Sequence, residues 1–370
     1  MTHKKAHICH LTSAHQANDV RIFHKECSSL AKEYKVTLLV VNGKDDFVNN
    51  VEIIGLPVRY ANRFQRFTRA VNCIYQKAIE VDADIYHFHD PEILRIATRL
   101  KSKGKKVIYD VHEDLPRQIL SKPYINAIIK KPISIFIEYF ENRVASKLDG
   151  IIAATPFIRD RFLKVNKNTI DINNFPILDE LLLNVDYNSK KENIICYVGG
   201  ITRIRGIKEI ITSIKSLDLK MLIAGDFLED GLRNEVKQLE GWKKVRELGF
   251  IGREQVKEVY TKSKLGIVTL HPVINYINAL PVKMFEYMAA GIPVISSNFP
   301  LWENLIEENK CGICVDPMES KEIERAIKYI LDNPEEAKLM GENGKKIVQE
   351  KYNWSIEEDK LLKFYSSLIE

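Results

Sequence analysis

Short apolar runs alternate with helically spaced stretches almost from the first residue. Residues 6–11 predict a first strand. Across 19–33 the apolar positions Val20, Phe23, Cys27 and Leu30 recur at helical spacing and share one face. Residues 36–41 form a β-branched run that ends at Asn42-Gly43, a turn signal. Further strands are predicted at 85–88, 106–109 and 150–153, with helical patterns between them. The pattern restarts after residue 190, with strands at 193–198, 219–224, 245–250, 265–269, 293–296 and 312–315. Helices are expected there over 208–216, 254–263, 281–290 and 321–331. Strand–helix alternation of this kind predicts parallel sheets covered by helices.

Two such series in 370 residues predict two α/β domains. The expected division is 1–180 and 181–351, joined across 173–189, with an amphipathic helix at 352–370 packing back on the first domain. The chain is 45% hydrophobic and 28% charged, enough apolar material for two cores. It has no apolar run long enough to cross a bilayer and no signal-peptide pattern, so the expected location is cytoplasmic, with peripheral attachment to the inner face of a membrane allowed. Six cysteines are no disulfide framework, and the lone CxxC of Cys311 and Cys314 reads as a strand after a turn. The formal charge of +5 is carried by the first half. That is too weak for nucleic acid, but it suits an anionic surface or a phosphorylated acceptor. Arg63, Arg66 and Arg69 with Phe64 and Phe67, and Lys122, Lys130 and Lys131 with Tyr124, Phe136 and Phe140, suit anionic lipid. A solvated helix face over an ordinary core fits them equally.

The richest segment is 278–295. Pro281 suits the first turn of a helix and Gly291 its end. The helix N-terminus then offers free N–H groups and a positive dipole end near Asn278, Ala279, Leu280, Pro281 and Val282, a site for a diphosphate. Lys283 adds a full charge, and Glu286 lies one turn on, on the same face. A capped helix with a solvated Lys283–Glu286 pair is the plain alternative.

This segment resembles the signature of the family 4 glycosyltransferases, which have the GT-B fold. Similar stretches follow the family's order along nearly the whole chain: His87-Phe88-His89-Asp90-Pro91, Tyr109-Asp110-Val111-His112-Glu113, Tyr197-Val198-Gly199-Gly200 with Arg203, Arg205 and Gly206, Ile223-Ala224-Gly225, and Leu248-Gly249-Phe250-Ile251-Gly252. The resemblance implies two Rossmann-like domains with parallel sheets facing across a cleft. It implies retaining, metal-independent transfer of a sugar from a nucleotide-sugar, a UDP-sugar before a GDP-sugar, to a glycan or lipid-linked acceptor in surface polysaccharide synthesis. No metal and no cofactor is expected. Glu286 matches the glutamate that binds the ribose, and Gly199, Gly200, Phe250 and Ile251 fall on the donor side. His112 matches the histidine that faces the donor sugar.

Two departures stand out. The family's first glutamate falls at Asn278, which cannot carry charge. Gly200 replaces a common arginine; Arg205 matches a family lysine, and Arg203 is expected to supply the missing cation. Two arginines in a glycine-flanked turn suit an anion, and surface decoration is the alternative. Asp90 is expected to cap the helix near Pro91, and His87 and His89 to shape a loop. Ser13, Asn18, Asp19, Arg21 and Glu113 are acceptor-side candidates, with Asp19 equally a helix N-cap. An epimerase of the same architecture and a non-catalytic nucleotide-sugar-binding subunit are the rival readings; absence of GxGxxG disfavours a dehydrogenase.

Overall fold

The computed structural model describes residues 5–58, 60–122, 125–181 and 192–369. The chain divides into one unit of Met1–Asn174 with Ser355–Glu370 and a second of Phe175–Trp354. Part of the expected join, 182–189, lies outside the described residues, as do Tyr124 and the side chain of Arg63.

The first unit holds strands β1 (His7–Thr12), β2 (Lys35–Val41), β3 (Asp46–Val48), β4 (Val51–Leu56), β5 (Ile85–Phe88), β6 (Lys106–Val111), β7 (Gly150–Ala153) and β8 (Thr169–Asp171). Their order is β3-β4-β2-β1-β5-β6-β7-β8, parallel throughout except for the β3–β4 pair. Strand alternation separates two chemistries. Cys9, Leu11, Tyr86, Phe88 and Tyr109 enter one apolar core. The intervening His10, His87 and Asp110 point to the opposite face, where all three are fully buried. That face is covered by the helix Val20–Cys27, from which Arg21 bonds Asp110, and by the helix Trp354–Ile369, whose Tyr365 hydroxyl lies 2.6 Å from His87 Nδ1. The Val20–Cys27 helix winds with the wider π-type turn. Phe23 and Cys27 are buried, but Val20, expected on the same face, is 38% exposed. Asp19 caps this helix, accepting from the Arg21 and Ile22 amides at 2.9 Å each.

The second unit holds β9 (Ile194–Val198), β10 (Lys220–Ala224), β11 (Val245–Gly249), β12 (Leu265–Val268), β13 (Val294–Ser297) and β14 (Gly312–Val315), in the order β11-β10-β9-β12-β13-β14, all parallel. Apolar cores cover both faces, one around Cys196, Val268 and Met284, the other around Ile195, Tyr197 and Ile267. In each sheet the strand order reverses beside the central strand, between β1 and β5 and between β9 and β12. Open parallel sheets bind ligands beyond the carboxyl ends of the strands at such points.

Candidate donor and sugar sites

In the second unit, β9 ends at Val198 and runs into Gly199 and Gly200. Gly199 takes φ +127°, a region that favours glycine. A Cβ on Gly200 would lie 2.9 Å from Arg205 Nη1 and 2.8 Å from Leu228 Cδ1. Any side chain at 200 therefore collides with the space the Arg205 guanidinium now fills, where it donates to the Gly200 carbonyl at 2.9 Å. Arg205 thus fills the space beside residue 200. Arg203, expected to supply the missing cation, instead forks onto Glu235 with two 2.8 Å hydrogen bonds, with Glu229 at 3.6 Å and its side chain 42% exposed. It sits on a 3₁₀ turn, Arg203–Arg205, in which residues two apart project about 120° from one another.

The helix Val282–Ala289 starts after Pro281, with no side chain capping it. Lys283 in its first turn reaches back to the Tyr197 ring, Nζ 3.7 Å from the centroid. The residue is half-buried, but Nζ itself is closed off from solvent and makes no hydrogen bond among the described residues. Burial, reinforced by the nearby Arg205 charge, pushes this ammonium well below the usual lysine range. The Lys283–Glu286 pair of the plain alternative does not form. Glu286 is buried and accepts from Arg253 Nη1 at 2.7 Å and from the Tyr260 hydroxyl at 2.8 Å. Arg253 and Tyr260 stand seven residues apart on one helix, Arg253–Lys262, two turns along the same side. Neither was singled out by the sequence, although Arg253 directly follows the Gly252 turn. Asn278, Ala279, Leu280, Pro281 and Val282 are half-buried, as is Ile251. The Ala279 carbonyl accepts from Trp302 Nε1 at 2.8 Å. Phe250 is 82% exposed.

In the first unit, Asp90 at the end of β5 does not cap the turn at Pro91. Its Oδ2 instead accepts from the Thr12 hydroxyl at 2.8 Å and the Ser13 amide at 2.6 Å, tying the ends of β1 and β5 together. Ser13 is buried, its hydroxyl on Glu92 at 2.8 Å. Arg21, expected on the acceptor side, is interior: it binds Asp110 at 2.8 and 3.1 Å, the Ile172 carbonyl at 2.7 Å and Glu26 at 3.0 Å. His87 is buried within β5 rather than in a loop, and His89 is buried in the loop just after it. Asn18 and Glu113 are exposed, Glu113 bonded to Gln118. His112 is half-buried, with Nε2 2.8 Å from Asp110 Oδ2.

Two groups here have metal-ligand side chains with donor atoms within 4.8 Å: His10, Glu26, His87 and His89, and His89, Asp110 and His112. In the first, the His10 and His89 rings lie 18° from parallel and the His87 and His89 rings 27°. Stacked rings aim their in-plane lone pairs side by side, not at one point. In the second, Arg21 donates to both Asp110 oxygens, so a cation there would sit against the guanidinium.

Residues 183–347 match the model of glycosyl transferases group 1, and residues 20–172 that of glycosyltransferase family 4. The chain is 25% identical over 191 residues to the alpha-D-kanosaminyltransferase of Streptomyces kanamyceticus, a match covering 49% of this chain and 47% of that protein. Its fold is similar to that of sucrose-phosphate synthase from Thermosynechococcus elongatus, with TM-score 0.81 at 18% identity over 99% of both chains. It is also similar to Anabaena HepE in complex with UDP-glucose, with TM-score 0.73 at 15% identity over 98% of this chain and 99% of that one. Two family models that divide the chain between its two parallel sheets, on a fold shared along its whole length, place it in family 4 of the glycosyltransferases, with the GT-B fold.

Proposed function

We propose that the protein transfers a sugar from a nucleoside-diphosphate sugar, a UDP-sugar before a GDP-sugar, to a glycan or lipid-linked acceptor of surface polysaccharide, with retention and without a metal ion. The observation that carries this is Lys283 Nζ: closed off from solvent, without a hydrogen-bond partner among the described residues, beside Arg205 and at an uncapped helix N-terminus. An unpaired buried ammonium is costly, and a diphosphate supplies the missing counter-charge. The crystal structure of HepE with UDP-glucose supports a UDP-sugar in this fold. As the bond from anomeric carbon to phosphate breaks, charge grows on the diphosphate, and Lys283, Arg205 and the helix dipole stabilise it. Glu286 accepts from the ribose hydroxyls; two protein bonds leave it acceptor capacity for them. In the N-terminal unit His112 contacts the reacting sugar.

Calorimetry with UDP-glucose in excess EDTA tests this. Wild type should bind, and Lys283→Ala and Glu286→Ala should each lose about 1.5–3 kcal/mol, roughly ten- to a hundredfold in affinity, while staying folded. Equal affinity in the variants, or binding that needs manganese or magnesium, overturns the assignment. Asn278 in place of a glutamate favours the second reading, a non-catalytic nucleotide-sugar-binding subunit. Release of UDP on adding acceptor rejects it, and release only of an altered nucleotide-sugar would mark an epimerase.

A membrane-facing acceptor fits the helix Ala127–Ala145. Ile128 is 83% and Phe136 68% exposed, and Ile129, Ile135 and Tyr139 are exposed as well, beside the exposed Lys131. Apolar side chains with flanking cations insert into an anionic interface. Wild type should sediment with phosphatidylglycerol vesicles, and Ile128→Asp with Phe136→Asp should abolish this at unchanged melting temperature. Failure of wild type to sediment removes the membrane from the reading.

A further inference from the structure

Behind His112 lies a buried chain of hydrogen bonds whose proton positions follow from geometry. Asp110 Oδ2 receives three groups: Arg21 Nε at 3.1 Å, His89 Nδ1 at 3.1 Å and His112 Nε2 at 2.8 Å; Oδ1 receives Arg21 Nη2 at 2.8 Å. Burial alone would raise this carboxyl, yet Arg21 and the two imidazoles hold it well below the usual carboxylate range. An ionised carboxylate only accepts. Each ring nitrogen facing it must therefore carry a hydrogen, which fixes His112 as Nε2–H and His89 as Nδ1–H. The 3.2 Å approach of His89 Nδ1 to His112 Nε2 is then two donors sharing one oxygen, not a bond between rings. Neutral His89 is left with Nε2 as an acceptor, 2.9 Å from His10 Nδ1, which must donate. The outermost atom of the chain is His112 Nδ1, which makes no hydrogen bond among the described residues.

We propose that Asp110 is a positioning residue that fixes the rotamer and tautomer of His112, so that the imidazole offers the sugar a lone pair at Nδ1 and never, while neutral, a donor there. This rests on the reading of His112 as the sugar-facing histidine and adds a chemical class to it: the partner of Nδ1 is a hydroxyl, which can donate. Arg21 anchors the arrangement, since its guanidinium also reaches the Ile172 carbonyl and so ties Asp110 to the end of the sheet. The sequence hides this because Asp110 and His112 are two apart on β6 and its extension, while Arg21 arrives from 89 positions away.

The test needs no substrate. In protein labelled with ¹⁵N-histidine at a pH where the rings are neutral, His112, assigned by the loss of its signals in His112→Gln, should appear as the Nε2–H tautomer. His89 and His10 should appear as Nδ1–H tautomers. A His112 ring protonated at Nδ1 overturns the proposal whether or not the protein proves to be a transferase. The second arm measures UDP release from UDP-glucose. Asp110→Asn should lower kcat on the order of tenfold or more with little change in KM, and should have no further effect in the His112→Gln background. Equal losses in both backgrounds would mean that Asp110 acts on the fold, not through His112. Absence of UDP release in wild type would count against the transferase reading and leave the tautomer result standing.

Discussion

Arg205→Ala should slow sugar transfer on the order of a hundredfold or more, with a smaller change in KM, while Arg203→Ala should turn over like wild type. The two arginines are two residues apart in the same turn, and sequence offered Arg203 as the replacement for the cation missing at Gly200. Geometry favours Arg205 instead. Arg203 is held by Glu235 and Glu229 on the surface, and an exposed arginine already paired with two carboxylates has little potential left for a phosphate. Arg205 occupies the volume that a side chain on residue 200 would need, and its charge is felt by Lys283. The leaving diphosphate carries more charge in the transition state than in the ground state, so a cation aimed at it acts more on turnover than on binding. Arg205→Lys should recover only part, because an ammonium lacks the planar fork. Steady-state UDP release from wild type and the three variants decides the matter. A hundredfold loss in Arg203→Ala with an active Arg205→Ala would restore the assignment read from sequence.

The fold was legible where the chain is periodic. β14 and the helix Ser320–Asp332 fall within a residue or so of the positions read from apolar spacing, because buried parallel strands and amphipathic helices leave strong, distinct patterns. β3 and β4 were not legible. β3 is three exposed residues, and β4 carries Glu52 and Gly55 within six. The candidate site was legible as a pattern where one segment carries it, as in the run from Asn278 to Glu286, and its role there stays a proposal. What stayed hidden depends on partners far apart in sequence. Arg21 looked like a polar loop residue because nothing near it in the chain announces Asp110. Asp90 looked like a helix cap because its partners, Thr12 and Ser13, lie 78 and 77 positions away. His87 and His89 read as polar, and polar residues are usually placed outside. Here alternation puts His87 on the sheet face opposite the apolar core, under a helix that starts more than 260 residues later.

That buried histidine layer should make the N-terminal unit acid-labile. His10, His87 and His89 are all fully buried; burial holds His10 and His87 well below the usual histidine range and brings His89 down to about 4. In the unfolded chain each would titrate near 6.5. A depressed imidazole contributes stability that is present above the unfolded value and lost as pH falls toward the folded one, because the unfolded state takes up the proton first. For His89 alone the loss between about 6.5 and 4 is roughly 3 kcal/mol, and His10 and His87 add to it. Glu26 works in the opposite sense. Burial and Asp110 raise its carboxyl, so its contribution is complete below the unfolded carboxyl range and is lost as pH rises through the folded value. Glu141, raised by burial, and His15, raised by Asp19 and Asp90, act with Glu26; Asp110 and Asp19, held below the usual carboxylate range, act with the three imidazoles, and the net slope should favour unfolding in acid. The probe has to read the right unit. Trp242 and Trp302 belong to the C-terminal unit, and Trp354 is its last residue and the first of the helix that covers this layer, so tryptophan emission does not read the layer alone. Hydrogen exchange of the β5 and β6 amides does. Corrected for intrinsic rates, their protection should fall by about two orders of magnitude between pH 7.5 and 4.5, and His89→Gln, which cannot take up a proton, should flatten that slope. Protection that stays constant across this range would mean that the three rings are not held neutral by the fold.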